Sequence, residues 1–183
     1  MLKVTRPTPA HFGIYVFDID RMLDFYTSVF DLTLTDRGQG KTFPMTLAFT
    51  SASPDQHHQL AFASGRPPGS PSTVMQISFA VPDIQSLRDI WKKSAEKGAS
   101  EMRTLNHGNA LSIYMKDPEG NLVEVYLDMP FYVAQPHGDP LDLSLSDDEI
   151  MRQTEATCRA DPTFMPIAEW EAQFSSRTPA AWR

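Results

Sequence analysis

The amino-acid sequence contains an internal repeat at an offset of 65 residues, which restricts the possible folds to those built from two similar units. Residues 11–19 and 76–84 share an ordered set of apolar and acidic positions, and the similarity continues downstream of both segments. The matched pairs are Val16 with Val81, Asp18 with Asp83, Ile19 with Ile84, Met22 with Leu87, Asp24 with Asp89, Phe25 with Ile90, and Tyr26 with Trp91. Such a series predicts two copies of one structural unit that bury their apolar faces together.

Each copy of the repeat predicts the same order of elements. A strand rich in β-branched and aromatic residues comes first, followed by a helix whose apolar residues recur at helical spacing. Asp18 and Asp83 are positioned to cap these helices. Three short strands then complete each copy. The predicted elements are strand 10–17, helix 19–30 and strands 32–36, 44–50 and 57–63, then strand 74–81, helix 84–97 and strands 100–104, 109–116 and 121–127.

The predicted fold class is therefore α+β, built from two βαβββ modules. Module one spans about 9–65 and module two about 74–128, and together they form a predicted domain over 1–130. A segment rich in proline, glycine and serine at 66–72 indicates a linker between the modules.

A helical C-terminal extension is predicted over 131–183. Ser146 and Glu149 form a capping box that opens a helix of about 147–160, and a second short helix is expected around 167–174. The apolar residues of this extension could line a pocket mouth or a dimer contact, but packing against the chain's own core is the favoured interpretation. These residues are Phe131, Tyr132, Met151, Phe164 and Met165.

Composition excludes several classes of partner. The 183 residues include 16 basic and 23 acidic side chains, and the formal charge of −7 argues against nucleic acid or an anionic membrane as the main partner. Apolar runs are far shorter than the ~20 residues that span a bilayer, and the N-terminus lacks the apolar stretch of a signal peptide. Cys158 is the single cysteine, so an internal disulfide and a cysteine metal cluster are excluded. These features predict a cytoplasmic protein.

One acidic position on a predicted strand suggests a metal site. Glu124 lies between Val123 and Val125, so its side chain faces the side of the sheet opposite to theirs. If the valines face the helix layer, Glu124 points into the space that the sheet encloses, where an unpaired carboxylate needs a cation. A surface carboxylate, or one paired with a lysine, is the alternative.

Two further candidate ligands occupy equivalent positions in the repeat. His11 opens the first strand of module one, and Gln76 stands at the same place in module two. If the modules pack by pseudo-symmetry, both converge with Glu124 on one cavity. Two neutral donors and one carboxylate suit non-haem Fe(II) and similar divalent ions.

Residues 9–128 resemble the vicinal oxygen chelate superfamily, which includes extradiol ring-cleaving dioxygenases, glyoxalase I and bleomycin-binding proteins. Segments 57–62, 106–114 and 114–124 are most similar to the type I extradiol dioxygenases. The resemblance implies that the paired modules form an open, cup-shaped mixed sheet around a metal site.

The resemblance also implies a role for each candidate residue. His11, Gln76 and Glu124 would bind the metal, although the extradiol pattern expects histidine where Gln76 stands. His58 matches the family's proton-transferring residue. His107 and Tyr114 match residues that hold the oxygens of the substrate.

Each of these residues also has a simpler structural interpretation. His57 and His58 could be loop-edge residues, His107 a turn residue beside a glycine, and Tyr114 a core aromatic. Their joint spacing favours a site. His137 is interpreted as a loop residue.

The function implied by the resemblance is that of an oxidoreductase, an extradiol-type dioxygenase of aromatic catabolism that cleaves a catechol-like ring with O₂. Its cofactor would be a divalent metal, Fe(II) first, with Mn(II), Ni(II) or Zn(II) as alternatives. A homodimer is expected. A glyoxalase-like lyase or isomerase is the second hypothesis, favoured by Gln76, and a non-catalytic protein that binds an aromatic ligand is the third.

Overall fold

The computed structural model describes residues 9–176, with side chains described to residue 174. It confirms the α+β class and the order of elements in both copies of the repeat. Module one contains β1 (Phe12–Val16), α1 (Ile19–Phe30), β2 (Thr33–Gln39), β3 (Thr46–Ser51) and β4 (Leu60–Ser64). Module two contains β5 (Ile77–Ala80), α2 (Ile84–Glu96), β6 (Ser100–Asn106), β7 (Ala110–Lys116) and β8 (Leu122–Asp128).

The eight strands of the modules form two four-stranded mixed sheets of identical topology, ordered β1-β4-β3-β2 and β5-β8-β7-β6. The first strand of each module pairs in parallel with the last, and the other pairings are antiparallel. The hydrogen-bonded ladder is therefore interrupted between the modules. His11 and Gln76 each precede the first strand of their own sheet.

Two predicted strands begin three residues later than expected, β4 and β5, and β5 starts at Ile77 where the prediction began at 74. The segment 57–63 was expected to be extended throughout, but β4 starts at Leu60. A turn at 53–58 is held by local bonds, including the hydroxyl of Ser53 accepting from the backbone N–H of Asp55. His57 and His58 consequently lie in the loop before β4.

Each helix begins at the predicted aspartate. Asp18 accepts hydrogen bonds from two backbone N–H groups in the first turn of α1, and Asp83 accepts one from Ser86. Such bonds satisfy N–H groups that have no partner within the helix. The apolar faces of the helices are buried against the sheets, with Met22 of α1 and Leu87 of α2 fully enclosed.

Aromatic and polar contacts join the two modules. The ring of Phe30 stacks on that of Phe79 at 4.2 Å between centroids. The buried hydroxyl of Tyr26 donates to Oδ2 of Asp117 at 2.9 Å, so the core helix of module one is bonded to the β7–β8 turn of module two. These contacts fix the position of one module on the other.

The C-terminal extension adds β9 (Phe131–Tyr132), α3 (Asp147–Arg159), β10 (Met165–Pro166) and α4 (Ile167–Ser176). The ring of Phe131 packs on that of Phe164 at 5.7 Å, and Ile150 of α3 is buried in the core. The extension thus packs against its own chain. Its boundary with the paired modules stays a prediction, and residues 1–8 and 177–183 lie outside the described residues.

The helices in residues 9–176 are all too short or too polar to cross a membrane.

Candidate functional site

A buried carboxylate stands at the centre of the sheet of module two. Val123 and Val125 face the core, and Glu124 projects from the opposite face with 8% of the residue exposed. Four side chains donate hydrogen bonds to its carboxylate. They are Gln76 Nε2 at 2.7 Å and Ser78 Oγ at 2.8 Å to Oε2, and Ser112 Oγ at 3.0 Å and Tyr114 OH at 2.5 Å to Oε1.

These neutral donors, rather than a cationic side chain, surround the carboxylate. Within the described residues, no lysine or arginine nitrogen lies within 4.0 Å of Glu124. Glu124 is therefore neither a surface carboxylate nor paired with a lysine of the described chain. A buried carboxylate with several donors is oriented as well as stabilised, because each bond fixes one oxygen lone pair.

The hydroxyl of Tyr114 connects Glu124 to His107. His107 Nε2 lies 2.7 Å from the tyrosine oxygen and 3.9 Å from Oε1 of Glu124. Burial, followed by the hydrogen bond to Glu124 and the charge of that residue, raises the pKa of Tyr114 to about 12. The phenol is therefore a hydrogen-bond donor at neutral pH.

The tautomer of His107 is set by the residue on its other side. Nδ1 of His107 lies 3.0 Å from the backbone carbonyl oxygen of His137. Because a carbonyl can only accept, Nδ1 carries a proton and Nε2 is the ring atom that faces Tyr114.

A second group of aromatic side chains lies at the start of β1 and β4. The ring centroids of His11 and His58 are 4.2 Å apart, and the ring centroid of Phe49 lies 5.0 Å from that of His58. His57 contacts Nδ1 of His58 at 3.0 Å and Oδ2 of Asp36 at 2.6 Å. Burial, the charge of His11 and that of His57 lower the pKa of His58 below its ordinary value of 6.5, which favours a neutral imidazole.

The predicted site residues thus fall into two clusters. One joins Gln76, Glu124, Tyr114 and His107 through hydrogen bonds. His11 belongs to the other cluster, and neither of its described ring nitrogens lies within 4.0 Å of the Glu124 carboxylate.

Burial alternation places the three predicted ligands on corresponding sheet faces. Ile14 and Val16 are buried, so His11 belongs to the opposite face of the sheet of module one. Ile77 is likewise buried, and Gln76 extends from the other face with its amide on Glu124. Among residues 9–176, no three His, Cys, Asp or Glu side chains form a group that could hold a metal. The predicted set contains only two residues of those types, with the amide of Gln76 as its third donor.

Sequence reasoning missed the two serines and the role of the extension. Ser78 on β5 lies two residues after Gln76, which immediately precedes that strand, and Ser112 lies two residues before Tyr114 on β7. Period-two alternation therefore places each pair on one face of the sheet. That alternation was a usable signal. His137 was interpreted only as a loop residue, and its contact with His107 spans 30 residues of sequence without a local pattern.

Comparisons with known proteins identify the family to which the fold belongs. The model of the Glyoxalase/Bleomycin resistance protein/Dioxygenase superfamily matches residues 8–125. Biphenyl-2,3-diol 1,2-dioxygenase 3 of Rhodococcus globerulus is 26% identical over 172 residues, which cover 91% of this chain and 82% of that protein. A probable lactoylglutathione lyase of Vibrio parahaemolyticus is 25% identical over 119 residues, covering 63% of this chain and 86% of that protein.

A solved structure shows the same fold. The fosfomycin resistance protein FosX of Listeria monocytogenes, complexed with Mn(II) and sulfate, superposes with a TM-score of 0.54 at 17% identity, covering 68% of this chain and 95% of that one. The resemblance predicted from the repeat and its motifs is confirmed by the family match, which takes in both modules. This chain belongs to the glyoxalase/bleomycin resistance protein/dioxygenase superfamily, also called the vicinal oxygen chelate superfamily.

Proposed function

We propose that this chain is a metal-dependent extradiol-type dioxygenase that cleaves a catechol-like aromatic ring with O₂. The observation that carries this proposal is the position of the Tyr114 hydroxyl, 2.5 Å from Glu124 and 2.7 Å from His107. A proposed metal ligand and two groups able to bond a substrate oxygen therefore share one point on the sheet. Ring cleavage of a catechol requires such a juxtaposition, because both substrate oxygens must be held beside the metal.

The extent of similarity to a dioxygenase supports this choice. The match to the Rhodococcus biphenyl-2,3-diol 1,2-dioxygenase takes in 91% of this chain, so it extends past residue 125, where the superfamily match ends, into the C-terminal extension. The match to the Vibrio lyase takes in 63% of the chain. The alignment with this biphenyl-2,3-diol 1,2-dioxygenase thus includes part of the extension that contacts His107.

The donor chemistry of the proposed ligands fits a divalent cation. His11, Gln76 and Glu124 would supply one imidazole, one amide and one carboxylate, and Glu124 has no lysine or arginine partner in the described chain. A bound Fe(II), or Mn(II), Ni(II) or Zn(II), would polarise two adjacent substrate oxygens, and a redox-active ion would also activate O₂.

The chain's own residues supply the proton transfers. His58 is uncharged near neutral pH because its pKa is lowered, so it can accept a proton from a substrate hydroxyl and return it later. Tyr114 remains protonated up to high pH, and its one proton, which Glu124 accepts in this structure, would turn to a substrate oxygen on which negative charge develops. His107 orients the phenol through Nε2.

A glyoxalase-like lyase or isomerase is the second candidate, and one contact favours it. The amide of Gln76 touches Glu124 where the extradiol pattern expects an imidazole, and an amide ligand suits Lewis-acid chemistry without O₂. A third candidate, a protein that only binds an aromatic ligand, requires no metal. Metal content separates the third candidate from the others, and O₂ consumption separates the first from the second.

We also propose that the chain forms a homodimer. Large apolar side chains are exposed at or just before the first strand of each module, including Phe12, Tyr15 and Met75. Burying such side chains between subunits is favourable. Sedimentation equilibrium should give twice the chain mass, and a monomer at every concentration would exclude the dimer.

The dioxygenase proposal is tested by anaerobic purification with Fe(II), followed by O₂ uptake and product absorbance with a panel of catechols that includes 2,3-dihydroxybiphenyl. Uptake should disappear in His11→Ala and Glu124→Ala and fall steeply in His58→Phe. Glu155→Ala, which removes an exposed carboxylate of α3, is the matched control. Stoichiometric metal without O₂ uptake across the panel would favour the lyase, and a chain that binds no metal would favour the ligand-binding protein.

A further inference from the structure

The β6–β7 turn that bears His107 is enclosed by the C-terminal extension. Asn106 and Asp139 exchange two backbone hydrogen bonds, at 3.0 and 2.8 Å. The side-chain amide of Asn106 also donates to the hydroxyl of Thr154 on α3 at 2.8 Å. The amide of Gln135 donates to the backbone carbonyl of His107 at 2.8 Å. The main chain on both sides of the imidazole is therefore bonded to the extension.

The C-terminal extension packs closely against Gly108, next to His107 in the turn. The φ of Gly108, +72°, lies in the left-handed region, which glycine adopts without strain. A Cβ at this position would lie 2.4 Å from Cγ2 of Val133 and 3.1 Å from Sγ of Cys158. The extension thus fills the space that any larger residue at this position would need.

The contact between the extension and the His107 ring is made by a restrained residue. The carbonyl of His137 accepts from Nδ1 of His107 at 3.0 Å. The His137 ring lies between two carboxylates, with Nε2 at 2.9 Å from Asp139 and Nδ1 at 4.0 Å from Asp161. Its backbone N–H donates to Oε1 of Gln135 at 3.1 Å. Side chain and backbone together fix the direction in which the carbonyl points.

We propose that the C-terminal extension is a functional part of the site and that His137 is a positioning residue for His107. By accepting at Nδ1, the His137 carbonyl keeps the proton on that atom and leaves Nε2 as the ring atom that faces the Tyr114 hydroxyl. An imidazole without this restraint could turn its ring, which would remove the contact with Tyr114, or move its proton to Nε2, which would make Nε2 a donor to the phenol oxygen. The consequence for turnover rests on the proposed dioxygenase function, whereas the consequence for the ring does not.

The test uses the full-length chain and observes His107 directly. Nitrogen-15 correlation spectra of the imidazoles, recorded without metal and assigned with His107→Gln, should show a persistent proton on Nδ1 of His107. In His137→Ala this signal should broaden or disappear, and His137→Gln, which keeps an N–H donor for Asp139, should restore it. Arg152→Ala, on the exposed face of α3, should leave the signal unchanged.

Kinetics supply the second measurement. For the Fe(II)-loaded protein, His137→Ala should lower kcat about tenfold with little change in KM, because binding groups are retained while the orientation of His107 is lost. A purely structural role would lower the melting temperature and leave the His107 spectrum unchanged, which would overturn the proposal. A wild-type spectrum with the proton on Nε2 alone would also overturn it. If the spectra behave as expected while no catechol is consumed, the proposed function fails and the positioning role stands.

Discussion

Tyr114 and Glu124 face each other as direct cross-strand partners on β7 and β8, and the tyrosine hydroxyl lies 2.5 Å from the carboxylate. Their register in the antiparallel ladder follows from the β7–β8 turn at residues 117–120, whose backbone bond joins Gly120 to Asp117. In this register Lys116 pairs with Leu122 beside the turn, and Tyr114 pairs with Glu124 two residues further along each strand. The contact therefore arises from local chain geometry and does not depend on the packing of the two modules.

We expect Tyr114→Phe to impair catalysis more than binding. The variant removes the only group that joins Glu124 to His107 within the described cluster, and loss of one such donor lowers kcat about 10²-fold. Steady-state O₂ uptake with the best catechol measures the effect. Tyr132→Phe, whose ring stacks on Trp170, is the control. Unchanged kcat in Tyr114→Phe would exclude the tyrosine from the chemistry.

A second prediction concerns the donors that orient Glu124. Ser112 donates to Oε1 of the carboxylate, so Ser112→Ala should weaken binding of a divalent ion about tenfold, as is usual when a partner of a metal ligand is lost. Competition with a chromophoric chelator measures the affinity. Ser144→Ala, on an exposed loop, should retain it. An equal affinity in Ser112→Ala and wild type would show that the bond from Ser112 does not orient a metal ligand.

The internal repeat and the helical spacing of apolar residues were sufficient to predict the two modules, because both patterns are visible in the sequence without knowledge of tertiary contacts. The offset between matched residues gave two βαβββ units, and the cap residues Asp18 and Asp83 begin their helices as expected. Glu124 could also be placed on its sheet face, since alternation along β8 depends only on backbone geometry.

Contacts that join distant segments could not be predicted in the same way. The loop position of His57 and His58 depends on side-chain bonds in a turn, which have no periodicity. The bond from His107 to His137 requires the extension to dock on the β6–β7 turn, and docking depends on tertiary packing. The four neutral donors around Glu124 could not be predicted either, because they meet only when three strands are assembled.

Stability should depend strongly on Glu119, which joins the modules. Its side chain is only 2% exposed and accepts from the backbone N–H groups of Phe17 and Asp18, at 2.7 to 2.9 Å, while Arg66 lies at 3.7 Å. Glu119→Gln should lower the free energy of unfolding by about 2–4 kcal/mol, because buried donors and a buried guanidinium lose their anionic partner.

Urea denaturation measures this change. Glu155→Gln is the matched control, since its ion pair with Arg159 is exposed and contributes less than about 1 kcal/mol. If both variants lost the same stability, the proposed joint between the modules would be refuted.

The single thiol reports on whether the extension is docked. Cys158 is 1% exposed, and burial, with the charges of Asp139 and Asp161, raises its pKa from 9.0 to about 11. The thiol should therefore remain protonated and unreactive toward a disulfide reagent near pH 8, and react fully in denaturant. Thr154→Val, which breaks the bond to Asn106, should increase the reaction rate of the folded protein.

The same pKa shift fixes the sign of a pH effect on stability. Between about pH 9 and 11 the unfolded thiol loses its proton while the folded thiol keeps it, so this contribution to the free energy of unfolding decreases as pH rises. Cys158→Ala should show a shallower decline over that interval. Rapid reaction of the native wild-type thiol near pH 8 would contradict the described docking of α3.

Gln76→His separates the two enzymatic candidates. An imidazole at this position would complete the ligand set that the extradiol pattern expects, and Ser78, Ser112 and Tyr114 would still hold Glu124. Imidazole binds Fe(II) more strongly than an amide oxygen does, so affinity for Fe(II) should rise about tenfold. For a dioxygenase, O₂ uptake with catechols should be retained or increased.

For a lyase or isomerase whose chemistry uses the amide, the same variant should lose activity while gaining affinity for the metal. Gln85→His adds an imidazole to the exposed side of α2 and controls for nonspecific metal binding. Isothermal titration under anaerobic conditions measures the affinity, and O₂ electrode traces measure turnover. An unchanged affinity in Gln76→His would remove residue 76 from the ligand set, because an imidazole two residues before Ser78 on the same strand face would bind any metal held there.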